Sequence, residues 1–312
     1  MMVKSVTFKS NTWNIAGTLR LPENFDENKK YPAIICAHPI SSCKEQTSGQ
    51  IYGEALTQSG FITLAFDAST QGASGGEPKY SEDPSQRVED FRCAVDYLVT
   101  LPFVDDEKIG VLGVCGGGGY AVNAAMTERR IKAVATIVAA NYGRIVREGN
   151  LTPDNALKTL EAIGAQRTAE ARGNASLVVP YVPFSNQTEL DEAGVTDVDL
   201  TEAVDYYRTS RGEQPGSPNK LRFTSLAPTF SWDAFAMAEQ LLTQPLHIVI
   251  GGGKAGAFGS YRDGFDLFNR ARSSQKTIQV VDGATHYDLY DQPQATEQAL
   301  AQVVPFFKQF LS

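Results

Sequence analysis

The chain has 312 residues, 42% hydrophobic and 21% charged, an ordinary globular composition with material for one large core or a core plus a subdomain. Its formal net charge of −8 argues against a general affinity for nucleic acid or an anionic membrane surface. The first residues alternate polar and apolar side chains with no apolar core of a secretory signal, and the longest apolar runs, such as 133–140, are too short to span a bilayer. A cytoplasmic protein is therefore expected, with Cys36, Cys43, Cys93 and Cys115 as reduced thiols whose spacing fits no zinc pattern.

Two strand-like runs, 3–8 and 15–21, open the chain around a turn containing Asn11 and Asn14. A regular beat follows: an apolar strand 33–37, a helical stretch 51–58 stopped at Gly60, a strand 61–66 ended by Asp67, and an amphipathic helix 84–101. The strand 109–114, a glycine run, a helix 120–126 and a strand 133–140 continue it. The beat resumes late with a helix 233–242, a strand 246–250, a helix 261–272, a strand 277–281 and a final helix 295–310. Short apolar runs alternating with helices predict an α/β fold, with a mostly parallel central sheet covered on both faces. Between 142 and 230 the pattern breaks into a segment richer in Asn, Pro, Arg and Glu, with helical pieces at 153–169 and 201–210. The expected organisation is a core of residues 1–141 and 231–312, with an inserted helical lid over 142–230.

The central chemical signal is Gly113-Val114-Cys115-Gly116-Gly117, which ends an apolar strand and begins a helix. A nucleophile on such a sharp turn needs small neighbours on either side, and the turn aims the next N–H, that of Gly116, at a developing oxyanion. The plainer reading is a buried cysteine in a packing-driven glycine run. Gly116, Gly118 and Ala121 also satisfy a loose dinucleotide pattern. They follow the fifth strand rather than the first, however, and the next strand ends at Ala139-Ala140-Asn141 with no acid for a ribose. Gly251-Gly252-Gly253-Lys254 lacks the spacing of a phosphate-binding Walker loop.

Only three histidines are present. His247 lies inside a strand and reads as a packed residue, and His38 ends the third strand and reads as a brace. His286, in Asp282-Gly283-Ala284-Thr285-His286 between the last strand and the last helix, stands where a general base would follow a nucleophile in chain order. In His38-Pro39-Ile40-Ser41, Pro39 has no N–H, so Ile40 is the candidate second oxyanion donor.

His38-Pro39, Lys44-Glu45-Gln46-Thr47, the 72–78 loop, the 110–120 elbow and the 283–291 loop together resemble the dienelactone-hydrolase-like branch of the α/β-hydrolases. The resemblance covers most of the chain outside the inserted segment. It implies the α/β-hydrolase fold and a Cys–His–Asp triad in which Cys115 and His286 fill two places. It also implies a glutamate against the resting thiol, for which Glu45 is the candidate. The triad acid would follow strand 246–250, where this chain reads Gly251-Gly252-Gly253-Lys254-Ala255-Gly256-Ala257-Phe258 with Gly256 at the acid's place. Asp263 is the candidate substitute, Asp233 a more remote one, and a Cys–His dyad the simplest reading.

The expected activity is cleavage of a small ester, lactone or thioester through an acyl-cysteine, with no cofactor and no metal. The alternatives are an acyltransferase or cyclase using the same acyl-cysteine, and a non-catalytic ligand-binding hydrolase fold. Arg144 and Arg147, at the entrance of the inserted segment, are candidates for binding a substrate carboxylate. The expected partner is a small acyl substrate rather than nucleic acid or membrane, and a homodimer is left open.

Overall fold

A computed structural model describes residues 1–148 and 153–312, with the side chains of 153 and 154 excepted; residues 149–152 of the inserted segment lie outside the described residues. The chain opens with β1 (Met2–Ser10), β2 (Trp13–Leu21), β3 (Tyr31–Ala37), a π-helical turn Ser48–Gly53, α1 (Glu54–Gln58), β4 (Ile62–Phe66), α2 (Pro84–Val99), β5 (Val104–Val114), α3 (Gly116–Thr127) and β6 (Ile131–Ile137). The segment 142–230 carries α4 (Tyr142–Glu148), α5 (Pro153–Ala171), β7 (Val178–Val179), α6 (Gln187–Glu192), α7 (Val198–Arg208), β8 (Leu221–Arg222), a 3-10 turn Phe223–Leu226 and α8 (Ala227–Phe230). The chain closes with α9 (Ala238–Leu241), β9 (Leu246–Gly251), α10 (Ser260–Arg270), β10 (Lys276–Val281), α11 (Asp288–Asp291) and α12 (Pro293–Leu311).

Eight strands form one sheet in the order β1-β2-β4-β3-β5-β6-β9-β10. The β1/β2 and β2/β4 pairs are antiparallel, and every later pair is parallel. The inner strands β3, β4 and β6 and the second half of β5 are buried along nearly their whole length, which is why they read as continuous apolar runs rather than alternating ones. Edge strands β1 and β10 are half exposed. Two apolar clusters fill the two faces; one includes Phe91, Val95 and Ala121, the other Leu289, Val303 and Phe307. Asp83 caps α2 by accepting from Ser85 N at 2.9 Å and Gln86 N at 3.2 Å, and Pro84 at the first helical position has no amide to satisfy.

Several boundaries differ from those expected. The helix after the glycine run starts at Gly116, not Tyr120, because the four glycines are already helical. The helix expected over 233–242 shrinks to α9. Within 142–230, β7 and β8 pair antiparallel, and α7 lies against the 251–259 and 284–291 segments through polar and aromatic contacts. Among the described residues no helix is long and apolar enough to cross a membrane.

Candidate active site

Parallel strands β5, β9 and β10 end on the same side of the sheet, and the loops there bring the candidate residues together. Cys115 follows the last residue of β5 and precedes α3, with φ 52° and ψ −126°. A non-glycine residue at positive φ stores roughly 1–3 kcal/mol of strain, which the surroundings must hold in place. Cys115 N donates to Ile137 O at 2.9 Å, and its carbonyl accepts from Ala140 N at 3.0 Å and Gly118 N at 2.8 Å. The flanking glycines are there for space: a Cβ on Gly117 would lie 2.5 Å from His38 O, and one on Gly113 would strike Gly117 O.

Cys115 is 4% exposed. The nearby Tyr290 hydroxyl and Gly116 N–H favour its thiolate, yet burial outweighs both and pushes the thiol up to about 11, with Asp199 and Asp263 adding repulsion. A Cβ on Gly116 would meet Ile40 Cγ1 at 2.5 Å and Ile40 N at 3.6 Å, so the two residues expected to supply oxyanion donors lie side by side at the elbow. His286 is equally buried, and burial alone takes its imidazole down to about 3. Its Nε2 lies 3.4 Å from the Tyr290 hydroxyl and its Nδ1 2.9 Å from Ser260 Oγ. The tautomer that lets Nε2 accept from Tyr290 carries its proton on Nδ1, which then donates to Ser260. Tyr290 thus stands beside both Cys115 and His286, and its single O–H proton serves one of them at a time.

The remaining candidates sit elsewhere. Glu45 is half exposed and pairs with Lys44 Nζ at 2.6 Å, so the glutamate expected against the thiol is replaced there by Tyr290. Asp263 is claimed by Arg144, whose Nε and Nη2 approach at 2.5 and 2.8 Å, and by Asn141 N at 2.8 Å; His286 Nδ1 meets Ser260 instead. Arg144 is therefore spent on Asp263 and the Phe258 carbonyl, and Arg147 on the carbonyls of Phe230 and Trp232. Both arginines fasten segment 142–230 to the core rather than facing a substrate. Asp233 binds Asn141 and Arg270. His247 packs on Phe306 and bonds Thr277, and His38 bonds Pro39 O and Ala68 N, both as braces. Ligating atoms of Cys43, Glu45 and Asp67 lie within 4.8 Å of one another, and Lys44 already places its ammonium on the two carboxylates, 2.6 and 2.9 Å away.

Three residues of the site escaped sequence reasoning: Tyr290, Ser260 and Asp199. Tyr290 lies four residues after His286, a helical spacing that could have flagged it. Ser260 merely opens a helix. Asp199, in the first turn of α7, is 2% exposed and reaches the β9 loop from the inserted segment. Its Oδ2 accepts from Phe258 N at 2.8 Å, while the neighbouring Asp197 accepts from Ala257 N at 2.9 Å. The carboxyl stands over Gly256, where a Cβ would come 2.5 Å from Asp199 Cγ.

The sheet order, the elbow at the end of β5 and the histidine loop after β10 agree with the Alpha/beta hydrolase family profile, which matches residues 48–299. The chain belongs to the α/β-hydrolase family. Among members of that family, it is 38% identical to the uncharacterized protein YcjY of Escherichia coli K12 over the full length of both chains. The crystal structure of the hypothetical protein PA2218 from Pseudomonas aeruginosa superimposes with a TM-score of 0.89 at 31% identity, covering 99% of this chain and 94% of that one. More distant relatives are named as a thiohydrolase and a polyketide transferase. The thiohydrolase aneE of Aspergillus aculeatus is 26% identical over 71% of this chain and 69% of its own. The polyketide transferase claH of Penicillium crustosum is 26% identical over 82% and 81%.

Proposed function

We propose that this α/β-hydrolase cleaves a small ester, lactone or thioester through an acyl-enzyme on Cys115. The observation that carries the reading is a cysteine at positive φ on the strand-to-helix turn, its sulfur and the His286 ring both in contact with one tyrosine hydroxyl. Sγ attacks the acyl carbon while the thiol proton passes to His286 Nε2, directly or through the Tyr290 hydroxyl. The carbonyl oxygen takes up the negative charge facing Gly116 N–H and Ile40 N–H. Collapse breaks the C–O or C–S bond, and His286 returns the proton to the departing alcohol or thiol. Water then attacks the thioester, gives its proton to His286, and leaves a carboxylic acid and the free thiol.

The dienelactone-hydrolase resemblance supports the cysteine and histidine of this scheme but not its glutamate, and the thiohydrolase name of aneE is in keeping with it. Free thiols at all four cysteines suit a reducing, cytoplasmic setting. A second reading is transfer of the acyl group to another nucleophile. It is favoured by the burial of Cys115 and His286 and by the packing of Tyr206 and Tyr207, from segment 142–230, on Tyr287 and Tyr290 beside them, since a dry acyl-enzyme waits for its acceptor. On that reading 142–230 is the lid.

The test is intact-protein mass spectrometry after mixing with p-nitrophenyl acetate and with an acetyl thioester of N-acetylcysteamine, alone or with an alcohol acceptor. An acetyl group on Cys115 that decays in water is expected; decay only with the alcohol present selects transfer. Cys115→Ala should carry no adduct and turn over neither probe. A folded Cys115→Ala protein with near-normal turnover would sink the reading.

A further inference from the structure

The loop after β9, where the fold expects the acid that orients the histidine, runs through Gly256 without a carboxylate. The space a side chain at Gly256 would occupy is filled from the other side by Asp199, with Cγ 2.5 Å and Oδ2 2.7 Å from the Cβ position. Asp199 Oδ2 is bound by Phe258 N–H, but Asp199 Oδ1 is buried without a hydrogen-bond partner. An orphaned buried carboxylate oxygen costs stability and calls for a reason. The same void, about 10 Å³ and so room for one water at most, is lined by Asp199, Ser260 and His286. Ser260 Oγ is already against His286 Nδ1. If Nδ1–H donates to it, the serine hydroxyl proton needs an acceptor, and Asp199 Oδ1, not bonded to Ser260 in this structure, lines the same void and has no donor of its own.

We infer that Asp199 is the missing acid of the site, supplied by α7 of the inserted segment, and that it positions His286 through the Ser260 hydroxyl. The inference rests on the reading of Cys115 and His286 given above. Because His286 charges only as it takes the thiol proton, an ionised Asp199 is of use at that moment: it favours the imidazolium and holds Nδ1–H in place. The carboxyl belongs to an element that is not part of the sheet. The site is therefore complete only while α7 is docked on the 251–259 and 284–291 loops. The docking contacts are both polar and aromatic: Asp197 and Asp199 on the first loop, Thr285 Oγ1 donating to Glu202 at 2.7 Å and Tyr206 and Tyr207 packed on Tyr287 and Tyr290 on the second, with Arg211, just past α7, binding Asp291 and the Tyr287 carbonyl. Seating of α7 over a bound substrate and assembly of the acid are one event. A lid that opens for exchange also disarms the base.

Burial raises the Asp199 carboxyl to about 7, with Asp197 and Glu202 adding repulsion and the Phe258 N–H opposing it. Across neutral pH the wild-type rate should therefore climb as Asp199 ionises. The experiment is kcat and KM for p-nitrophenyl acetate against pH for the wild type, Asp199→Asn, Ser260→Ala and the double variant, with folding checked by circular dichroism. Expected are losses of about 10- to 100-fold, mainly in kcat, for each single variant. The neutral limb should flatten in both, and the double variant should be no worse than the weaker single one. Nitrogen-15 imidazole spectra, tractable with three histidines, should show His286 losing its Nδ1–H preference in Asp199→Asn. A folded Asp199→Asn protein with wild-type kcat and an unchanged limb would overturn the inference, as would multiplying losses in the double variant. Should Asp199→Asn not fold, a wild-type rate and limb in Ser260→Ala overturn it alone. Cys115→Ala separates the two claims: activity surviving there removes the acyl-cysteine, whereas an inactive Cys115→Ala beside an unaffected Asp199→Asn removes only the acid.

Discussion

Cys115 and His286 are both held neutral by the same cause, burial: the thiol is pushed up to about 11 and the imidazole down to about 3. A ready-made thiolate–imidazolium pair is thus disfavoured at rest; on the proposed mechanism, charge separates only when an acyl carbonyl can receive it. Tyr290 is what the sulfur holds in the meantime, and its hydroxyl works against burial by favouring the thiolate. A hydrogen bond to a charged group contributes about 1.5–3 kcal/mol, so Tyr290→Phe should slow alkylation of Cys115 by iodoacetamide at pH near 8 by at least about tenfold. The rate should recover at higher pH; an unchanged rate would show that the hydroxyl gives the thiolate nothing. The placement of Cys115 on the elbow and of His286 in the loop after β10 was legible in the sequence, because a positive-φ turn demands small neighbours and chain order leaves one histidine in that loop. Tyr290, Ser260 and Asp199 were not, since nothing local forces their identity. Asp199 reaches Gly256 across 57 residues of chain, and the only trace in the sequence was the lack of an acid at Gly256 itself.

Elements were easier to read than contacts wherever burial was uniform. Strands β3 to β6 stood out because both faces are covered, and α2 because Asp83 and Pro84 mark its start. The glycine run at the head of α3 misled because glycine has poor helix propensity, and here close backbone packing overrides it. The two classes of helical glycine should separate in a stability assay. Gly117→Ala forces a Cβ to 2.5 Å from the His38 carbonyl and 2.6 Å from the Ala37 carbonyl, backbone atoms that cannot swing aside. It should cost about 3 kcal/mol or distort the elbow. Gly164, within α5, has nothing within 4 Å of its Cβ position, so Gly164→Ala should stabilise by about 0.5–1 kcal/mol. Urea midpoints for the two variants provide the check, and a stable Gly117→Ala protein with normal turnover would contradict the packing argument. Gly256 belongs with Gly117: a side chain there meets Asp199 N at 2.6 Å, so an acid restored at its expected position would lift α7 off the loop.

At the scale of the whole molecule, the same buried charges shape the response to pH. His38, His247 and His286 all lie below their ordinary range through burial, so the unfolded chain takes up their protons first and stability falls as pH drops below about 6.5. Asp199 works in the opposite sense. Its folded pKa is raised to about 7 against an unfolded value near 3.9, so the stability it contributes is fully present below about pH 4 and is lost as pH rises through about 7. Above that pH the fold carries a buried carboxylate with one unpartnered oxygen. Asp199→Asn removes that charge while the amide oxygen can still accept from Phe258 N–H. The variant should therefore be more stable than the wild type near pH 8, on the order of 1–3 kcal/mol, with the difference shrinking toward pH 5 as the wild-type carboxyl protonates. Thermal unfolding of both proteins across that range measures it. Equal differences at both ends would mean that Asp199 does not titrate within the fold. A gain in stability beside a loss of turnover is what a residue kept for chemistry rather than for folding should show.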